Sequence, residues 1–237
     1  MNLIRSLLFS LWLYLSMPLF AVGLSPALLG THGMGMAVIK GWARFVLFGL
    51  RWIAGIKVEV RGLEHRPTGG ALVAAKHQSM LDVIVPFTVL DDPCFVLKKE
   101  LMAMPFFGWF AWKSKMIPVD RQAHAKALKD MVKHTRLRLA DNRQIMIFPE
   151  GTRTLPGAPG EYKPGVAAIY RDVEVPCHLI ATNSGQYWPA KGMTGFKPGT
   201  VVFEFLPPVD ASLKRGEFMK QMEGRIEAKS NALLLPR

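Results

Sequence analysis

"AAKHQSMLD", Ala74 to Asp82, is the stretch on which the reading of this chain turns. A small, apolar run from Gly70 to Ala75 stops at a Lys–His pair. After His77 a new apolar pattern begins, "SMLDVIVPFTVL", and it holds a carboxylate, Asp82. The run has the look of a buried strand ending near Lys76, and the pattern that of a helix at least up to Pro86. Five helical residues rotate about 140°, so His77 and Asp82 do not share a face of one continuous helix. With His77 in the turn ahead of the helix, the two come within hydrogen-bonding reach. A carboxylate on one imidazole nitrogen fixes the tautomer and leaves the other nitrogen free to take a proton from a hydroxyl. The same residues also fit a purely structural reading, with Ser79 and Asp82 as helix-start caps.

Downstream and upstream of this stretch, strands and helices alternate. Lys57–Val60 alternates as a strand, and "CFVLKK", "KMIPV", "QIMIF", "VPCHLIAT" and "TVVFEFLPPV" read as further strands. Gln122–Asn142 reads as a helix with Leu128, Val132 and Leu139 on its apolar side and Lys126, Lys129, Lys133 and Arg136 along another. "VAAIYRDV" is a short helix, Lys214–Leu234 a terminal one, and Gly- and Pro-rich "TLPGAPGEYKPG" a loop. Alternating elements of this kind indicate an α/β domain.

Two more strand ends carry charge. "FPEGTR", Phe148 to Arg153, follows "QIMIF" at the type of position where open α/β sheets hold ligands. Gly151 permits positive φ or close backbone approach, and Thr152 supplies a hydroxyl. Read alone, the stretch is also consistent with a turn closed by a Glu150–Arg153 ion pair. "IPVDR" ends on Arg121, and Lys163 stands just before a helix start. Arg121, Arg153 and Lys163 could converge on a phosphate, Arg giving bidentate geometry.

The front of the chain is of another character. The chain has 237 residues, mean hydropathy of +0.17, a formal net charge of +12 and a pI of about 9.9. That charge favours anionic partners. No charged residue stands between Arg5 and Lys40, and Ser6–Gly30 contains a stretch long enough to cross a bilayer, which needs about 20 residues. Pro18, Gly23 and Pro26 allow a bent or re-entrant helix. A signal peptide is the competing reading, with Ala21-Val22-Gly23 as a small-residue cleavage site. The next segment, Ala37–Ile56, argues for attachment instead. Lys40, Arg44 and Arg51 fall within about 40° of one another on a helix, Val38, Val46, Leu50 and Ile53 face away, and Trp42 and Trp52 suit the headgroup zone. The boundary is therefore expected at 1–56, a membrane anchor, against 57–237, the main domain, which the basic flanks place on the cytoplasmic side. Cys94 and Cys177 lie far apart in apolar surroundings, which points to buried free thiols rather than a disulfide or a metal site.

Taken in order, "HQSMLD", "IPVDR", "FPEGTR" and "VPCHLIATN" resemble the four blocks of the glycerolipid acyltransferase family, and most of all its 1-acyl-glycerol-3-phosphate acyltransferases. The resemblance runs from about Val58 to Val209. It implies a mixed central sheet flanked by helices, and a membrane enzyme of phospholipid biosynthesis at the inner membrane. It implies His77 as general base with Asp82 as its orienting partner. Arg121 would bind the acceptor phosphate, Glu150, Gly151, Thr152 and Arg153 would shape the acceptor site with Lys163 beside them, and Pro176 would help form the acyl-donor side or the fold around it. It implies acyl-CoA or acyl-carrier protein as cosubstrate, with no cofactor and no metal, and no nucleic-acid partner. The family often has Asn where this chain has Lys76, and Gly where it has Ser114, Lys115 and Met116. Other readings are an acyltransferase for another acceptor such as a lyso-ornithine lipid, a membrane hydrolase, which would want a GxSxG elbow the sequence lacks, and a non-catalytic lipid-binding protein.

Overall fold

The computed structural model describes residues 3–235. Two long helices open the chain, α1 (Leu3–Gly23) and α2 (His32–Gly49), the second running through a π-helical turn, Leu50–Ala54, to Gly55 at φ 71°. There follow β1 (Ile56–Arg61), β2 (Ala71–Ala75), α3 (Leu81–Ile84), α4 (Pro86–Val89), β3 (Pro93–Lys98), α5 (Phe107–Lys113) and β4 (Ile117–Val119). Then come α6 (His124–Ala140), β5 (Gln144–Ile147), α7 (Gly165–Val173), β6 (Cys177–Thr182), β7 (Gly199–Val209) and α8 (Arg215–Ala232). The strands form one sheet in the order β1-β7-β6-β2-β5-β3-β4. Pairing is parallel throughout except between β6 and β7. This is the mixed, helix-flanked sheet that the alternation of patterns and the four blocks predict.

The central strand β2 reads Ala-Leu-Val-Ala-Ala, and all five side chains are buried. A strand covered on both faces needs no polar alternation. It pairs with β5 (Ala74 opposite Ile147) and with β6 (Ala75 opposite Ile180). The segments that leave β2, β5 and β6 therefore emerge side by side at one edge of the sheet, with β4 at the end of the same parallel set.

Three local features differ from the sequence reading. The helix after His77 is two short ones, broken at Val85, because Pro86 has no N–H to give and begins α4. Helix α5 has no counterpart among the elements expected from the sequence. In α6 Val132 and Leu139 pack against the core as expected, beside the buried Ala127, Met131 and Thr135, whereas Leu128 is exposed. Arg136 is not free on the basic side either. It grips Asp172 of α7 through both carboxylate oxygens.

Helices α1 and α2 share the core with the sheet. Phe9, Leu13, Met36, Ala43, Val46, Leu50 and Ala54 belong to the same buried cluster as β2 and β6. Phe9 is fully buried, edge-on to Trp188 and Phe196 at 5.3 and 5.1 Å. Lys40, expected on the basic side of an interfacial helix, instead donates to the carbonyls of Leu90 and Asp91 at 3.0 and 2.6 Å, closing the end of α4. Arg44 and Arg51 stay exposed. A chain cut at Ala21–Gly23 would lose Phe9 and Leu13 from this core.

Candidate active site

His77 stands two residues past β2, in the turn before α3. Its Nδ1 lies 3.1 Å from Asp82 Oδ2. The same oxygen accepts from the amides of Gln78 (2.6 Å) and Ser79 (2.8 Å), and Oδ1 accepts from the hydroxyl of Ser184, which follows β6. So many donors identify Asp82 as an ionised acceptor, and Nδ1 as the protonated ring nitrogen. Nε2 hydrogen-bonds no described residue and keeps its lone pair for a ligand. Asp82 is 1% exposed, and the His77 side chain 13%, which leaves the ring one open edge. Phe148 stacks on the imidazole at 4.1 Å and an interplanar angle of 17°. The amides near the site are largely committed. Those of Gln78 and Ser79 go to Asp82, and that of Gly151 to the Phe148 carbonyl.

The "FPEGTR" loop divides its residues between two tasks. Gly151 is at φ 67°, a conformation that favours glycine. Its carbonyl accepts from Arg121 Nη2 at 2.6 Å, and a β-carbon placed on it would lie 3.7 Å from that nitrogen and 3.8 Å from Lys163 Cγ. Arg121 and Lys163 thus meet at Gly151, and Thr152 is exposed beside them. The neighbouring Asp120 is paired with Lys99, whose hydrogen bond holds the Asp120 carboxyl below its usual range. Arg153 does not join this pair. It donates to the Ala190 carbonyl at 2.9 Å, at the rim of a cleft lined by Ser10, Leu13, Tyr14, Met80 and Trp188.

Glu150 turns inward. Its side chain is fully buried. Oε2 accepts from the backbone N–H of His77 at 2.9 Å, and Oε1 from Lys76 Nζ and from the Thr154 hydroxyl, each at 2.7 Å. Thr154 in turn donates its amide to the His77 carbonyl at 2.9 Å. Glu150 and Thr154 therefore clamp the peptide groups of His77 from both sides. Pro176 immediately precedes β6, away from these groups.

Sequence reasoning did not single out Phe148, Thr154 or Ser184 for these contacts. Phe148 and Thr154 flank the charged residues of a block that was in view, and Ser184 lies just past "CHLIATN". Among the described residues no group of three or more His, Cys, Asp or Glu side chains is placed to hold a metal ion.

The acyltransferase family matches residues 57–182 of the chain. The chain is 35% identical over 191 residues to the 1-acyl-sn-glycerol-3-phosphate acyltransferase of Pseudomonas aeruginosa, covering 81% of this chain and 74% of that one. It is 31% identical to the Escherichia coli protein of the same name, over 67% of this chain and 64% of that one. It is 32% identical to the mouse alpha form, of whose length it spans 59%, and 70% of this chain is covered. The crystal structure of the 1-acyl-sn-glycerophosphate acyltransferase from Thermotoga maritima superposes over the whole of both chains with a TM-score of 0.81 at 21% identity, which is likeness of fold.

Proposed function

This chain belongs to the 1-acyl-sn-glycerol-3-phosphate acyltransferase family, and on that premise we propose that it transfers a fatty acyl group from a thioester to the free hydroxyl of 1-acyl-sn-glycerol-3-phosphate, giving phosphatidic acid. The observation that carries the reading is the His77–Asp82 contact, with Nε2 open, at the edge of the sheet where Arg121 and Lys163 gather. Nε2 takes the proton of the acceptor hydroxyl as its oxygen attacks the thioester carbonyl. The new C–O bond forms, the C–S bond breaks, and the imidazolium returns the proton to the departing thiolate. Asp82 holds the ring and stabilises its charged form. General-base help of this kind is worth about 10²- to 10⁴-fold.

Arg121 and Lys163, the latter also paired at 2.5 Å with the exposed Glu161, supply the positive charge for the acceptor phosphate, and Gly151 lets them approach. The narrow cleft beside Met80, where Arg153 and Lys191 stand with Leu13, Trp188 and Phe196, offers mixed polar and apolar contacts to a substrate near the turn of His77. The donor is acyl-CoA or acyl-carrier protein, both anionic. Exposed Lys126 and Lys129, on α6, suit either.

Both lipids live in a membrane, and withdrawing an acyl chain into water costs about 0.8 kcal/mol per methylene. The helix Leu3–Gly23 and the segment His32–Ala54 are each long and apolar enough to cross a bilayer, by length and composition. Along the outer face of α1, Leu8, Leu11, Leu15 and Leu19 are exposed, while Phe9 and Leu13 face the core. We place this outer face in the inner membrane, with the sheet on the cytoplasmic side.

The test uses membranes carrying the full chain, labelled acyl-CoA or acyl-carrier protein, and either lysophosphatidate or a lyso-ornithine lipid. Phosphatidate is the expected product. Labelled product on the lyso-ornithine lipid alone would move the acceptor to that class, and label released as free fatty acid with no lipid product would make the protein a hydrolase.

A further inference from the structure

Lys76 is 1% exposed, although it stands beside His77. Its Nζ lies 2.7 Å from Glu150 Oε1 and 2.5 Å from Glu227 Oε1, and Glu227 comes from α8. The Tyr162 hydroxyl donates to the same Glu227 oxygen at 2.9 Å. Burial, and then the neighbouring Glu227 and Glu150, push the ionisation of Tyr162 well up, so it stays a neutral donor. The loop bearing Tyr162 lies directly on this group, since a β-carbon on Gly160 would come within 2.3 Å of Glu150 Oε1. One buried ammonium therefore joins two carboxylates. One of those carboxylates holds the His77 N–H, and the other belongs to the terminal helix.

We propose that Lys76 and Glu227 are positioning residues for the acyl transfer: they fix Glu150 against the His77 backbone and so tie α8 to the pose of the base. The proposal rests on the acyltransferase reading for its kinetic part. Among the described residues neither side chain hydrogen-bonds Arg121 or Lys163, and neither lines the cleft at Met80, so the effect is expected mainly in turnover rather than in substrate affinity. The charge balance is the core of it. Without Lys76, the buried Glu150 carboxylate and the part-buried Glu227 remain together without the ammonium that joins them, and removing one partner from such a group is far more disruptive than removing both. Glu150 alone keeps neutral donors, Thr154 and the His77 amide. Neutralising Glu227 as well should therefore restore its hold.

The experiment compares kcat and KM of the full chain for the wild type, Lys76→Met, Glu227→Gln and the double variant, all checked for folding by circular dichroism. Lys76→Met is expected to lower kcat about 30-fold, with both KM values within about threefold, and the double variant to regain about fivefold or more over Lys76→Met. Folded Lys76→Met with near-wild-type kcat overturns the proposal. So does a double variant no better than Lys76→Met, or a loss that appears mainly in KM. Amide hydrogen exchange at His77 supplies a readout free of the assay. Exchange should quicken in Lys76→Met and slow again in the double variant. If the wild type transfers acyl groups to no lysolipid, the functional reading fails, and unchanged exchange at His77 then rejects the positioning network separately.

Discussion

Donors crowd the Asp82 carboxylate from the turn, the imidazole and Ser184, while His77 Nε2 has none among the described residues. That contrast is the chemistry of the site in small: one group is made rigid so that another is left open. Asp82→Asn keeps the shape but cannot accept from every donor, and the imidazole loses its fixed tautomer. Acyl transfer is expected to fall about 10³- to 10⁴-fold, with the KM for either substrate little changed. Ser184→Ala removes one charge-assisted bond and should lower stability by about 1.5–3 kcal/mol, read from denaturant unfolding. The two thiols give a pH test. Burial pushes the Cys94 thiol up to about 11 and that of Cys177 up to about 12. A thiol is ordinarily near about 8.5, so the folded chain holds these protons longer than the unfolded one. Their contribution to stability is complete below that value and declines as pH rises towards the folded values. Both thiols should resist iodoacetamide at pH about 8 and react once unfolded, since the thiolate is the nucleophile. At this scale the motif residues were legible in the sequence and their partners were not. His77 and Asp82 stand out only within the ordered set of blocks that resembles the acyltransferase family, whereas Ser184 and Glu227 reach the site from segments 102 and 151 positions from their partners.

Helices and strands were legible where one face is apolar over several turns or where a strand is wholly buried. The strand Ala71–Ala75 and the helix Arg215–Ala232 are of that kind. Helix α5 was not, because it has only seven residues and both its faces are apolar: Phe110 and Ala111 are buried, while Trp109 and Trp112 are exposed. No periodicity separates those faces until the neighbours are known. The front helices illustrate the same limit. Their composition reads as membrane, yet α1 buries Phe9 against Trp188 and Phe196. Phe9→Ala should therefore destabilise the whole chain by about 3–5 kcal/mol, visible as a lower thermal midpoint in detergent. A variant that unfolds with the wild type would mean that α1 stands apart from the sheet.

For the molecule as a whole, apolar surface and charge point the same way. The outer face of α1 and the exposed rings of α5 provide the apolar surface, Lys113 of α5 being anchored on the Gly30 carbonyl at the turn between α1 and α2. A net charge of +12 adds attraction to anionic lipid. Trp112, 74% exposed, is expected to be quenched by brominated lipid in vesicles of mixed anionic composition, and replacing Leu8, Leu11 and Leu15 together by Ser should weaken membrane retention. Equal retention of that variant would remove the outer face of α1 from the attachment. The proposed transfer depends on one base, His77, held at a strand end. The most direct measurement is phosphatidate formed from lysophosphatidate and an acyl thioester by the purified full chain, wild type against His77→Ala, both shown to be folded. The account predicts product from the wild type and a loss of about 10²- to 10⁴-fold in the variant. Equal product from both proteins would contradict it.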